Sequence, residues 1–139
     1  MAAGFDAVQS IVLRYPWGDA FDGTKVNFCD SGCPREVRDN SVDDGHRDTA
    51  PVGSFVNGRS PIGAYDMAGN VMEWVSDWYD PRYYESTTDT NPLGPPEGAF
   101  KTIRGGSWLS SAEELRIVSR SSFDPSVARA NLGFRCAMT

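Results

Sequence analysis

Residues 19–59 of this chain are polar, rich in turn-forming side chains and free of hydrophobic periodicity. A stretch of that length without helix or strand pattern is unusual in a compact domain unless cross-links, ions or buried side-chain hydrogen bonds tie its backbone down. Fourteen Gly and nine Pro extend the same condition to the rest of the chain. Glycine reaches backbone angles closed to other residues and proline fixes its own, so irregular backbone must carry much of the fold. Yet 40% of the residues are hydrophobic and four are Trp, enough to build one core in 139 residues. The expectation is a single, loop-dominated domain.

Regular elements are expected to be short. Phe5, Val8, Ile11 and Val12 fall at i, i+3, i+6 and i+7 and predict a short helix within residues 1–15. Pro16 ends that pattern, and residues 16–139 form the domain proper. Apolar Trp74, Val75 and Trp78 among polar neighbours predict a strand over residues 73–79, stopped by Asp80-Pro81. Further strands are expected over residues 100–108, with a Gly-Gly break, and over 115–121 and 132–137. Residues 85–99 read as a surface loop.

The net charge of −6, with only two Lys, argues against a nucleic-acid partner, which demands clustered basic residues. No apolar run is long enough to cross a membrane. The first residues show no signal-peptide pattern, so the cytoplasm is the default expectation. Cys29 and Cys33 are compatible with a small loop disulfide, whereas one such pair and the single His46 cannot complete a zinc site. Cys136 is left over and is expected to be a small buried hydrophobe.

Two acidic segments carry possible cation chemistry. Asp66-Met67-Ala68-Gly69-Asn70-Val71-Met72-Glu73-Trp74 sets two carboxylates around turn-forming residues. Hard calcium takes six to eight oxygens, and Asp66 and Glu73 side chains with Gly69 and Val71 carbonyls could supply four. The competing reading makes Asp66 a turn cap and Glu73 the ion-pair partner of Arg104 or Arg120. Asp43-Asp44-Gly45 has the turn chemistry that a second cation site requires.

Tyr15-Pro16-Trp17-Gly18-Asp19, Thr49-Ala50-Pro51-Val52, Gly63-Ala64-Tyr65 running into the acidic loop, Arg104-Gly105-Gly106-Ser107-Trp108 and Asn131-Leu132-Gly133-Phe134-Arg135-Cys136 occur in that order. Together they resemble the formylglycine-generating-enzyme, or sulfatase-modifying-factor, family over roughly residues 15–137. The resemblance implies a C-type-lectin-like α+β fold with low regular secondary structure, stabilised by one or two calcium ions. One ion would sit on Asp66, Gly69, Val71 and Glu73. The second would sit on Asn27, the Phe28 carbonyl, Asp44 and the His46 carbonyl. Family domains carry more chain upstream, which implies either a trimmed core or one completed by another chain, with self-association open.

In the enzymes of this family, two cysteines after the Gly-Gly-Ser segment bind copper(I). Here Ser110 stands at the first of those places, and no cysteine lies between Cys33 and Cys136. Met72 replaces a tryptophan of the enzymes' substrate groove. The resemblance therefore implies a domain without copper and without the formylglycine reaction. The three-histidine iron site of the related sulfoxide synthases is excluded by the single His46. What survives is a groove of Met72, Ser107, Trp108, Ser110, Ser111, Arg116 and Asn131, with Arg120 either in it or bridging buried carbonyls. Its expected use is non-catalytic binding of a protein or peptide partner, or assembly. The alternatives are a formylglycine-generating oxidase, or part of one, and a ligand-display variable protein of a diversity-generating retroelement, displaying residues 110–114 and 122–129.

Overall fold

The computed structural model describes residues 5–6, 11–86 and 92–136. Phe5–Asp6 (β1) and Ile11–Val12 (β2) pair antiparallel. The helix expected within residues 1–15 is thus replaced by strand at these positions, while residues 7–10 lie outside the described ones. Ile11 and Val12 are β-branched, and their preference for extended backbone outweighs a helical period only two turns long.

The main sheet is Met72–Trp78 (β3), Lys101–Arg104 (β4), Arg120–Phe123 (β5) and Leu132–Gly133 (β6), in the order β5-β4-β3-β6. β3 pairs antiparallel with β4, matching Glu73 to Arg104 and Trp74 to Ile103 before a register shift. β6 runs parallel to β3 along the other edge. A single helical turn, Tyr83–Ser86 (α1), follows β3 and takes the start of the expected surface loop. Two short 3-10 turns, Gly23–Lys25 and Val56–Gly58, complete the regular structure among the described residues.

Two expected strands are displaced. Residues 115–119 form turns and pairing begins at Arg120, because Leu115 is turned inward as a fully buried plug. Strand geometry after Leu132 lasts two residues, residue 137 lies outside the described ones, and Cys136 is exposed rather than buried.

The core lies where the long polar stretch folds back on the later motifs. Tyr15, Val26, Phe28, Ala68 and Leu115 are buried together, with Trp17, Phe21 and Val42 packed against them. Tyr15 stacks on Trp17 at 5.4 Å, and Phe21 meets Phe28 edge-on at 5.0 Å. Such pairs add about 0.5–1.5 kcal/mol beyond burial.

The irregular backbone is tied by three devices. Cys29 and Cys33 form a disulfide. The Cys29 amide donates to the Ser110 carbonyl at 3.0 Å. Asn70 joins three segments: its carboxamide exchanges hydrogen bonds with the Ala50 backbone, its amide donates to the Asn27 carbonyl, and its carbonyl accepts from Trp108. Asn70 sits at φ 59°, a left-handed conformation that Asn tolerates better than most residues. No helix among the described residues is long and apolar enough to cross a membrane.

Candidate functional site

β4 ends in Gly105 and Gly106, both at positive φ, and this reversal leads into a closed turn. The Ser110 amide donates to the Ser107 carbonyl at 2.8 Å, and the Ser107 amide donates to the Ser110 hydroxyl oxygen at 3.1 Å. A Cβ at Gly106 would strike the Leu115 side chain, so only glycine lets the turn close over the core. Beside the turn is a cavity of about 440 Å3 whose lining includes Met72, Arg104, Gly105, Gly106, Ser110 and Arg120.

Among the expected groove residues, Met72 and Ser110 line this cavity. The others serve its frame. Ser107 is buried, and its hydroxyl accepts from the Leu109 amide and the Asn131 carboxamide. The Trp108 indole N–H is buried without an acceptor. Ser111 donates from its amide and hydroxyl to Glu114, and Arg116 pairs with Glu113.

Sequence reasoning missed Arg104, Glu113, Glu114, Ser119 and Ser121 as cavity residues. Nothing local marks them: the β4–β5 register sets Arg104 and Ser121 on the cavity, and the connecting segment 105–119 carries Glu113, Glu114 and Ser119. Arg104 donates to the carbonyls of Ile117, Val118 and Ser119, the bridging role considered for Arg120. Burial holds its guanidinium pKa below the ordinary value. Arg120 instead lies over the rings of Tyr79 and Tyr84 and donates to the Pro81 carbonyl.

The first acidic set is built around Arg135. Its guanidinium forks onto both carboxylate oxygens of Glu73 and donates to the Tyr65 and Asp66 carbonyls. Hydrogen bonding to Glu73 raises the Arg135 pKa, despite partial desolvation. Asp66, at φ 52°, accepts from the Gly53 amide at 2.7 Å. The ion pair that competed with calcium is therefore present, with Arg135 as partner rather than Arg104 or Arg120. The Gly69 amide donates to the Gly105 carbonyl, and Val71 precedes β3.

The second set has a different balance. Asn27 is buried, and its NH2 group donates to the Asp48 carbonyl at 2.7 Å, which fixes the orientation of the amide. Its Oδ1 is buried with no partner. Asp44 accepts from the Phe28 and His46 amides at 3.3 and 2.8 Å, and its own amide donates to buried Asp30. Desolvation first, and then the Asp30 charge, raise the Asp44 pKa despite those amides. An orphaned buried acceptor on Asn27, and a disfavoured carboxylate on Asp44 that takes the amide of the residue after Asn27, Phe28, make the polar imbalance that a hard cation relieves. This donor set fits calcium; Glu73, already neutralised, fits it less well.

Copper(I) does not fit the cavity. No thiol lines it, and Cys29 and Cys33 are joined in a disulfide away from it.

Comparison with known proteins follows the same lines. The family described as sulfatase-modifying factor enzyme 1-like domain matches residues 3–139. The formylglycine-generating enzyme of Streptomyces coelicolor is 42% identical over 128 residues, covering 89% of this chain and 40% of that protein. The serine/threonine-protein kinase Pkn1 of Chlamydia trachomatis is 41% identical over 127 residues, 90% of this chain and 18% of the kinase. The chain thus spans less than half the length of either relative. The solved structure of Treponema denticola variable protein 1 superposes with a TM-score of 0.62 at 27% identity, covering 80% of this chain and 34% of that one.

Proposed function

The chain belongs to the sulfatase-modifying factor enzyme 1-like family, and from that premise we propose that it is a non-catalytic, calcium-stabilised binding or assembly module. One observation carries the reading: the cavity at the Gly105-Gly106 turn presents the Ser110 hydroxyl and no thiol. A hydroxyl is a poor ligand for copper(I), so the oxygen-activating chemistry of the enzymes lacks its ligands here. The partner is a protein or peptide. The chlamydial relative, where the matched segment is 18% of a chain named as a kinase, supports such a domain working beside another activity.

Incubation with copper(I) and a cysteine-containing peptide tests the reading. Neither aldehyde nor one-equivalent tight copper binding is expected, and either would overturn it. Calcium belongs to the same proposal, with support strongest at Asn27 and Asp44, where the buried Oδ1 lacks a partner.

A second reading, the retroelement display protein, is favoured by the likeness to the Treponema variable protein. Of its display positions, 113, 114 and 124–129 are exposed, whereas Ser110 is buried and 111, 112, 122 and 123 are half-buried. This reading requires a template repeat and a reverse transcriptase gene beside this gene, and it falls if neither is found.

A further inference from the structure

Arg104 and Arg120 stand directly opposite each other in the antiparallel β4–β5 pair. Like charges in that position repel, and the ion pairs among the described residues include neither of them. Arg104 spends its donors on backbone carbonyls. Arg120 gives one nitrogen to the Pro81 carbonyl, and its remaining N–H groups have no acceptor among the described residues. Its plane is held in place by the rings of Tyr84 at 4.6 Å and Tyr79 at 5.2 Å.

Both arginines line the 440 Å3 cavity and also a neighbouring one of about 510 Å3, walled by Trp78, Tyr84, Leu93 and Pro95. The pair is therefore the boundary that the two cavities share. Nearby carboxylates do not neutralise it. Glu113 is committed to Arg116, and Glu114 to Arg35 and Ser111. Asp77, in the second cavity, attracts Arg104 from beyond ion-pair distance and accepts from the Ser76 hydroxyl. In a chain of net charge −6, an unmatched basic pair kept between two cavities is an exception that asks for a ligand.

We infer that the two cavities form one groove for an extended acidic peptide, in which Arg120, reinforced by the charge of Arg104, takes the carboxylate of an Asp or Glu side chain. The inference rests on the binding reading and specifies its ligand. A pre-oriented guanidinium fork matches a planar carboxylate through two parallel N–H bonds. Arg104 is spent on backbone carbonyls, which leaves one guanidinium fork, enough for a planar carboxylate but not for a doubly charged phosphate. The aromatic and proline wall beyond Arg120 suits the apolar face of a flanking peptide residue.

The test pans a randomised peptide display library on the wild-type chain, then measures one selected peptide by fluorescence anisotropy. Selected peptides are expected to share one acidic position. Changing that Asp or Glu to its amide should weaken binding about tenfold, as loss of a charge-assisted hydrogen bond implies. R120Q should cost a similar factor, with little further loss when both changes are combined. R120K, which keeps the charge but not the fork, should fall between. If R120Q proves unfolded by circular dichroism, the peptide-side substitution on wild type still decides. Peptides without a shared acidic position, or indifferent to the amide change, overturn the carboxylate subsite and leave the binding reading standing. Tighter binding of a phosphoserine substitute overturns the carboxylate choice. If wild type selects no peptide at all, the binding reading falls with it.

Discussion

Asp44→Asn separates the two acidic sets, because its effect depends on whether calcium is present. In chelator at neutral pH the wild type holds a carboxylate whose pKa is raised by burial and by Asp30. A raised carboxyl pKa means that the folded state binds the proton more tightly than the unfolded chain. Its contribution to stability is thus greatest below the ordinary value and is lost as pH rises through the raised one. Asn keeps an acceptor for the His46 amide at 2.8 Å and gives up mainly the longer bond from Phe28 at 3.3 Å. D44N should therefore lose no more than about 1 kcal/mol in chelator at pH 7. As pH falls toward 4 in chelator, the wild type should gain stability relative to D44N.

With calcium the comparison changes. Free ion at a hundredfold excess over its dissociation constant stabilises the folded state by about 2.7 kcal/mol. For a domain of this size that is roughly 10 °C in Tm. The wild type should show this increment, and D44N should lose most of it. Glu73→Gln is the control: it breaks the fork to Arg135 and should lower stability by about 1–2 kcal/mol, discounted for the half-exposed arginine. That loss should be equal with and without calcium. Scanning calorimetry of the three proteins in chelator and in excess calcium reads all of this. A D44N variant with the full calcium increment, or an E73Q variant without it, would refute the assignment and move the ion to the Asp66–Glu73 loop. A wild type indifferent to chelation would refute calcium altogether.

Two stability predictions follow from packing. Gly69 sits at φ 75°, and a Cβ there would overlap the Asn27 carbonyl and the Val26 side chain, so Gly69→Ala should cost about 2–4 kcal/mol in urea unfolding. A cost under about 1 kcal/mol would mean that the Asn27 segment yields freely. Leu115→Ala removes a fully buried side chain behind Ser110 and should cost about 2–5 kcal/mol by the same measurement. A near-neutral result would show that residues 110–116 do not depend on the core for their position.

The β3 strand was readable because apolar Trp74, Val75 and Trp78 stand among polar neighbours, whereas the strand expected over residues 100–108 stops at Arg104, since Gly105 and Gly106 at positive φ end the pairing instead of interrupting it. The start of β5 was not readable. Leu115 looks like a strand residue in sequence, but burial against the core claims it before pairing can begin. The helix expected near the N-terminus failed for a related reason: Phe5, Val8, Ile11 and Val12 fit a helical period, but all four are also good strand formers. At the candidate site, Met72 and Ser110 were visible from motif position. Arg104 and Arg120 were not visible as a pair, since fifteen residues of irregular backbone separate two residues that only β4–β5 pairing places opposite each other.

The acidic loop shows the same division of labour. Sequence identified Asp66 and Glu73 as a spaced carboxylate pair and offered either a cation or an arginine, without choosing the arginine. The choice fell to Arg135, which reaches back from the C-terminal motif to Glu73.

By itself, then, the sequence determined the family, the loop-rich α+β architecture and the loss of a thiol at position 110, because these depend on residue identity and short-range spacing. Only the tertiary structure decided which acidic set keeps an unmet polar atom and which arginines stand opposite each other in the β4–β5 pair. Burial and charge balance are properties of neighbours in space, and in this fold those neighbours are tens of residues apart in the chain.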